Sequence, residues 1–289
     1  MDNKLATTVF NSTGQENSFF LDGFFVFKNF LHKNEILTIQ SQVDTIVASG
    51  RDSGCVRPNN TLIALRWNDL LVELFLKSEY RIRLLKEAVA AHDLKWISGY
   101  ISIKDAYSPP LWWHQDWWCW QHNVSFKKAT SQIALMCYLD STNEQNGALR
   151  VLPRSHHKTT ALHAFLPEAH TDLSNQIKQE HIAMSDHKEQ ITLNLNPGDA
   201  VAIDYRLLHG THENATANRR DCVMLTFTPS WKELPNDIKG HLINHHALPF
   251  SDELPVQTVY QKELLPTFDG MRKDLNINRI PPIEFEIAE

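Results

Sequence analysis

From about residue 97 onward the chain falls into short apolar runs of strand length, each closed by turn residues, and this restricts it to an antiparallel β architecture. Ile97–Lys104 alternates apolar and polar residues as a half-buried strand does, and Pro109-Pro110 ends the run. Ile133–Leu139 is rich in β-formers, Gly147–Leu152 is a shorter candidate, and Gln190–Leu195 alternates again. Pro197-Gly198-Asp199 supplies a type II turn, with Pro at the first central position and Gly at the second. Ala200–Tyr205 and Cys222–Thr228 complete the set. The chain shows neither βα alternation nor a glycine-rich phosphate loop, which argues against a doubly wound nucleotide-binding fold. The expected fold is mainly β with flanking helices, an antiparallel sandwich or jelly roll.

The N-terminal third has a different period. Phe24–Phe27 suits a strand, and Ile36, Ile39, Val43, Ile46 and Val47 then recur at helical spacing, with Gly50 as C-cap. A second helix is expected from Asn68 or Asp69 as N-cap, carrying Leu71, Leu74, Phe75, Ile82, Leu85 and Val89 on one face. Residues 232–289 are richer in proline and acidic groups and read as a helical or extended tail around the core. The organisation expected is one domain over 1–289. It has a helical N-terminal section to about 95, a jelly-roll core over about 96–231, and a C-terminal extension from about 232.

Composition removes several classes of partner. Net charge is −6 with no dense run of Lys or Arg, so the basic face of a nucleic-acid protein is missing. No stretch approaches the roughly 18 apolar residues that a bilayer span needs. The N-terminus lacks a basic region followed by an apolar one, so it does not read as a secretory signal. Cys55, Cys119, Cys137 and Cys222 are widely spaced and form no CxxC pair, which fits a reducing compartment. A soluble cytoplasmic protein acting on a small molecule, with neither membrane nor nucleic acid as partner, is the expectation. Nothing in the pattern sets an oligomeric state.

The chemistry concentrates in Leu111-Trp112-Trp113-His114-Gln115-Asp116-Trp117-Trp118. In an extended chain, residues two apart face the same side, so His114 and Asp116 present an imidazole and a carboxylate together. That is two thirds of the facial triad of two histidines and one carboxylate that suits non-haem iron(II). H-x-D is a common tripeptide, so a third ligand and an anchor for a cosubstrate are needed downstream. His209-Gly210-Thr211 follows an apolar run, and Arg220 opens the next β-rich run. A guanidinium there offers a planar fork that clamps a carboxylate with two charge-assisted hydrogen bonds.

Together these segments resemble the phytanoyl-CoA dioxygenase family. The matching residues are His114-Gln115-Asp116, His209-Gly210-Thr211, Asn214 and Arg220, with Tyr138-Leu139-Asp140 and Asn146-Gly147-Ala148-Leu149-Arg150-Val151-Leu152-Pro153-Arg154-Ser155-His156 between them. Arg154 stands where that family usually has glycine. The resemblance covers roughly residues 20–231. It implies a double-stranded β-helix (cupin-like jelly roll), with iron(II), 2-oxoglutarate and dioxygen. His114, Asp116 and His209 would be the catalytic metal ligands, and Arg220 the 2-oxoglutarate anchor. Hydroxylation, desaturation or cyclisation of a small organic molecule, in specialised metabolism for example, would follow, and phytanoyl-CoA as substrate would not.

His212 is the rival distal ligand, set aside because Leu207-Leu208 and the Arg220 spacing favour His209. It reads instead as a loop histidine. Arg219 should point away from the anchor. Thr211 shares the face of His209, so its hydroxyl is a candidate cosubstrate contact as well as an ordinary sheet threonine. Trp112, Trp113, Trp117, Trp118 and Trp120 read first as core. By parity Trp112, Trp118 and Trp120 are substrate-wall candidates, with Arg66 and Trp67 in the helical section as further ones. His156 and His157 read as loop stabilisers, and His245-His246 as exposed. Two other classes stay open, a non-catalytic jelly-roll binding protein and a cupin-type metal enzyme that does not use 2-oxoglutarate.

Overall fold

The computed structural model describes residues 19–51, 55–57, 60–249 and 258–287. The N-terminal stretch read above for a signal lies outside them. The strands, in chain order, are β1 (Phe24–Phe27), β2 (Cys55–Arg57), β3 (Asn60–Leu65), β4 (Lys95–Lys104), β5 (Leu111–His114), β6 (Ile133–Tyr138), β7 (Leu149–Val151), β8 (Ile191–Thr192), β9 (Ala200–Asp204), β10 (His209–Thr211) and β11 (Arg220–Thr228). They form two antiparallel sheets, ordered β1-β9-β6-β11-β4-β3-β2 and β5-β10-β7-β8. The jelly-roll expectation holds.

β6 and β9 of the larger sheet are buried along their whole length, which is why they read as largely apolar runs. Trp96, Ile101, Val223, Leu225 and Phe227 extend the same core. Fully burying a side chain of this size contributes about 1.5–3 kcal/mol. The helix Lys33–Ala48 buries Ile36, Ile39, Val43 and Ile46 against that core, as their spacing predicts. Its C-cap is Ser49, and Gly50 follows in the left-handed conformation at φ 65°.

Three expectations change. The N-terminal section is less helical than it reads, because β1, β2 and β3 complete the large sheet and carry it past the expected boundary at 95. The helix that begins after Asp69 is two helices, Leu70–Leu76 and Glu79–Ala88. Ser78 breaks it by accepting a 3.4 Å bond from the backbone N–H of Arg81 and so capping a new start. The alternating run at 190–195 forms a strand only at Ile191–Thr192.

The C-terminal segment is strapped onto the barrel in extended form. Asn278 N–H donates to Trp118 O at 2.8 Å, and Trp120 N–H donates back to Asn278 O at 3.2 Å. Phe285 packs on Trp120 with ring centroids 4.8 Å apart, and its carbonyl accepts from Thr159 N–H at 3.0 Å. Residues 276–287 therefore run beside the segment that carries H-x-D.

Candidate metal and cosubstrate site

Strand register builds the site. β10 pairs with β5 so that His209 lies directly opposite His114, and their rings sit 4.2 Å apart. Gly210 permits this approach, since a Cβ there would meet Leu111 O at 2.8 Å and Trp112 O at 3.0 Å. Both imidazoles are locked through Nδ1, that of His114 2.9 Å from Trp112 O and that of His209 3.0 Å from Leu207 O. A carbonyl partner makes each Nδ1 the protonated nitrogen and leaves Nε2 as a lone pair for a cation. Those Nε2 atoms lie 3.6 and 3.5 Å from the two oxygens of Asp116.

His170 joins them. Its Nε2 is 2.7 Å from Asp116 Oδ1, and one donor atom each from His114, Asp116 and His170 lie within 4.8 Å of one another. Burial opposes ionisation of Asp116, but the His170 hydrogen bond and the three imidazoles outweigh it and hold the carboxyl well below its usual range. A cluster of imidazoles around an ionised carboxylate fits a divalent metal. Sequence reasoning missed His170. It sits in a loop at φ 63°, bound to no strand period, so only the folded chain brings it to the carboxylate.

Beside the imidazoles is a cavity whose lining includes His114, Asp116, His209, Thr211, Tyr138, Cys222 and Arg220. Arg220 is 3% exposed, its guanidinium lies 5.1 Å from the centre of the Tyr138 ring, and its Nε and Nη1 have no hydrogen-bond partner. A buried cation left this way costs several kcal/mol, so the site is built for an anion that the protein does not itself supply. Thr211 Oγ1 accepts a 3.4 Å bond from Leu111 N–H, which leaves the hydroxyl proton for such an anion. Burial pushes the Cys222 thiol up to about 12, so it stays protonated beside the guanidinium.

A second cavity also borders His114, with Gln115 beside it. Its walls are the segment from Thr159 to Ala169, contributing His163, Leu166 and Pro167, and the C-terminal residues Arg279 to Ile283. The tryptophans expected there lie elsewhere. Trp118 turns into the core, where Nε1 donates to Gln132 Oε1 at 2.8 Å and the ring packs on His241. Trp120 packs on Phe285 and lines neither cavity. β5 ends at His114, so the two-residue parity that placed both rings in the pocket does not continue beyond it. Arg66 is exposed beside Asp69, away from both cavities.

The rival residues separate clearly. His212 Nε2 lies 2.8 Å from Thr192 Oγ1, pointing away from the Asp116 cluster, although the residue is buried at 8% exposure rather than on an open loop. Arg219 turns outward to Asp44 and Asp221. His156 and His157 tie their loop to Phe20 O. His246 is exposed as expected, whereas His245 is half-buried, with Nε2 3.5 Å from the Tyr100 hydroxyl. Asn214 spans a turn, donating to Asp105 O and Asn218 O at 3.0 and 2.7 Å, and so sets the loop that delivers Arg220.

The sequence model of the family described as phytanoyl-CoA dioxygenase matches residues 19–222. The chain belongs to this family. Ectoine dioxygenase of Sphingopyxis alaskensis is 23% identical over 75% of this chain and 75% of the relative. L-proline trans-4-hydroxylase of Streptomyces griseoviridis is 25% identical over 44% of this chain, and the match spans 52% of that relative, about half its length. Among solved structures, HygX of Streptomyces hygroscopicus, with nickel and 2-oxoglutarate bound, superposes with a TM-score of 0.57. It is 15% identical, over 73% of this chain and 84% of that one, and supports the double-stranded β-helix as the fold. Arg154, the departure from the phytanoyl-CoA dioxygenase pattern, has φ 67°, the left-handed conformation that glycine takes without strain.

Proposed function

We propose that this member of the phytanoyl-CoA dioxygenase family is an iron(II)- and 2-oxoglutarate-dependent oxygenase that oxidises a small organic molecule. The observation that carries the reading is Arg220, a buried guanidinium with two unpartnered nitrogens in the same cavity as His114, Asp116 and His209. His114, Asp116 and His209 hold the metal on one face, because two of them are fixed side by side on paired strands and the third stands two residues along. Arg220 clamps the distal carboxylate of 2-oxoglutarate, and Thr211 donates to the same end. When bound, iron(II) and 2-oxoglutarate supply dioxygen activation and the oxidising power for attack on a C–H bond, with succinate and carbon dioxide formed.

The protein's own part is placement and exclusion of water. The apolar residues Leu111, Met136, Leu149 and Met224 surround the cosubstrate cavity, so the Arg220–carboxylate pair forms in a medium where it is stronger than in water. Substrate enters the second cavity, next to His114. Ectoine dioxygenase and L-proline trans-4-hydroxylase are named for oxidation of small molecules, which supports the same scale of substrate here. The test is anaerobic addition of iron(II) and then 2-oxoglutarate. A weak visible charge-transfer band should appear only when both are present. Binding of iron with no response to 2-oxoglutarate would instead favour a cupin-type enzyme, and binding of neither would favour a non-catalytic binding protein.

A further inference from the structure

The second cavity is walled largely by apolar side chains, Leu166, Pro167, Ile280, Pro281 and Ile283 among them, with His163 set into the same wall. The tautomer of that imidazole follows from its neighbours. The backbone N–H of Thr160 lies 2.9 Å from His163 Nδ1, and an N–H can only donate. Nδ1 is therefore the lone-pair nitrogen, and the Thr160 hydroxyl lies 3.0 Å from it. Burial pushes the ring down to about 4, so at neutral pH it is uncharged and carries its one proton on Nε2.

That Nε2–H is shielded from solvent and has no hydrogen-bond partner among the described residues. A buried donor left unpaired is costly, and an acceptor brought into the cavity by a ligand would remove the cost. The ring is held in place for this. Thr160 grips its Nδ1 edge, and the Phe285 ring stands at 88° to it with centroids 5.6 Å apart. Phe285 is itself fixed, its N–H donating to Thr159 Oγ1 at 2.8 Å and its ring packed on Trp120. His163 and His114 line the same cavity, so a ligand held at Nε2 occupies the space next to the metal site. The permanent charge on this wall, Arg279, is already engaged with a partner. A neutral donor in apolar surroundings selects an uncharged acceptor, because a carboxylate would give up its water for one neutral hydrogen bond.

We propose that His163 Nε2–H is the substrate-positioning donor of the second cavity, and that the substrate is an uncharged molecule with an apolar skeleton and one acceptor oxygen for it. This rests on the function proposed above and names the substrate class for the same site. The oxygen docks at His163 while the carbon skeleton lies along Leu166, Pro167 and Ile280, which directs a C–H bond toward His114 and the metal. The C-terminal strap takes part through Phe285, which buttresses the donor.

The test uses three probes of one shape on the full chain: cyclohexyl methyl ketone, cyclohexanecarboxylate and cyclohexylmethylammonium. Each is titrated by calorimetry in the presence of iron(II) and 2-oxoglutarate without oxygen. The ketone should bind most tightly, and His163→Phe should weaken it by about three- to tenfold, the effect of one neutral hydrogen bond. His163→Gln, whose amide can place an N–H near the same point, should keep most of the affinity. Tighter binding of the carboxylate than of the ketone overturns the substrate class. An unchanged ketone affinity in His163→Phe overturns the role of His163, and so does an equal loss for the ammonium, which cannot accept a hydrogen bond. Ring-nitrogen NMR of the unmutated protein, with zinc(II) in place of iron(II), should show the His163 proton on Nε2. A proton on Nδ1 overturns the assignment whether or not the variants fold. Calorimetry needs no charge-transfer band, so failure of the iron and 2-oxoglutarate reading shows separately, as a band that never forms.

Discussion

His170 holds Asp116 by a 2.7 Å hydrogen bond to Oδ1, while Oδ2 of the same carboxylate faces His209 at 3.5 Å. Because Asp116 is ionised, the imidazole must donate. His170 directly follows the Thr159–Ala169 segment that walls the second cavity, so the end of that wall is tied to the carboxylate at the metal site.

The two histidines nearest Asp116 should therefore differ in kind. His209 is fixed on a strand opposite His114, whereas His170 reaches in from a loop. Substituting His114, Asp116 or His209 by Ala should abolish the iron(II)–2-oxoglutarate band. His170→Ala should keep the band but weaken iron binding by about 10- to 100-fold, the usual cost of removing a group that orients a ligand. His212→Ala should change neither. A band lost in His170→Ala and kept in His209→Ala would exchange their roles.

Arg220 offers a cleaner separation of cosubstrate from metal. Removing one partner of a buried charge pair costs on the order of 2–5 kcal/mol, so Arg220→Ala should weaken 2-oxoglutarate by at least about tenfold. Iron binding should persist, because Arg220 faces the cavity from β11 rather than from β5 or β10. Arg219→Ala should leave 2-oxoglutarate affinity intact, since that side chain pairs outward with Asp44 and Asp221. A large loss in Arg219→Ala with none in Arg220→Ala would move the anchor.

What could be read in advance follows from which residues obey a strand period. His114, His209, Thr211 and Arg220, on or at the start of strands, were legible because β geometry fixes their facing and pairing, whereas Asp116 lies past the end of β5 and reaches the cluster through its nearness to His114 in the chain. Trp118 and Trp120 were misread because the period stops at His114. β3 was missed since Asn60–Leu65 follows a polar stretch and shows no clean alternation, and the break at Ser78 was hidden by an apolar face that continues across it. His170 and Arg279 lay beyond any periodic argument. A loop residue at φ 63° and a residue in an extended tail acquire their positions only from the folded barrel.

Arg154 gives a test of backbone strain. A non-glycine residue in the left-handed region costs about 1–2 kcal/mol, part of which glycine gives back through its greater freedom when unfolded. The Arg154 side chain is mostly exposed and sits 3.8 Å from Asp22, an ion pair worth little. Arg154→Gly should thus stabilise the protein by about 0.5–1 kcal/mol, read as a higher urea midpoint at unchanged slope. A lower midpoint would mean that the Asp22 contact outweighs the strain.

Acid sensitivity should trace partly to His156, which is 2% exposed and lies against Phe20 O and Gly23. Burial pushes its imidazole down to about 4 from an ordinary 6.5, with Asp204 pulling the other way. Between those values the unfolded chain binds the proton that the folded chain refuses, so stability rises with pH across the window. The contribution is fully present above 6.5 and is lost as pH falls toward 4. His163 and His245, also pushed down to about 4 by burial, contribute in the same window, whereas Asp204 and Lys104 lie largely outside a comparison of pH 7 with pH 5. Burial opposes ionisation of Asp204, yet its pairing with Arg206 holds it at about 2, and Lys104, which burial pushes down to about 7, gains stability only above that value. Unfolding free energy from urea titration should be lower at pH 5 than at pH 7 by about 1–2 kcal/mol from this residue. His156→Gln, which cannot take up the proton, should lower stability at both pH values and shrink that difference by the same amount. A pH dependence that is unchanged in His156→Gln would remove His156 from the account and leave the half-buried His163 and His245, which are depressed in the same direction, to carry it.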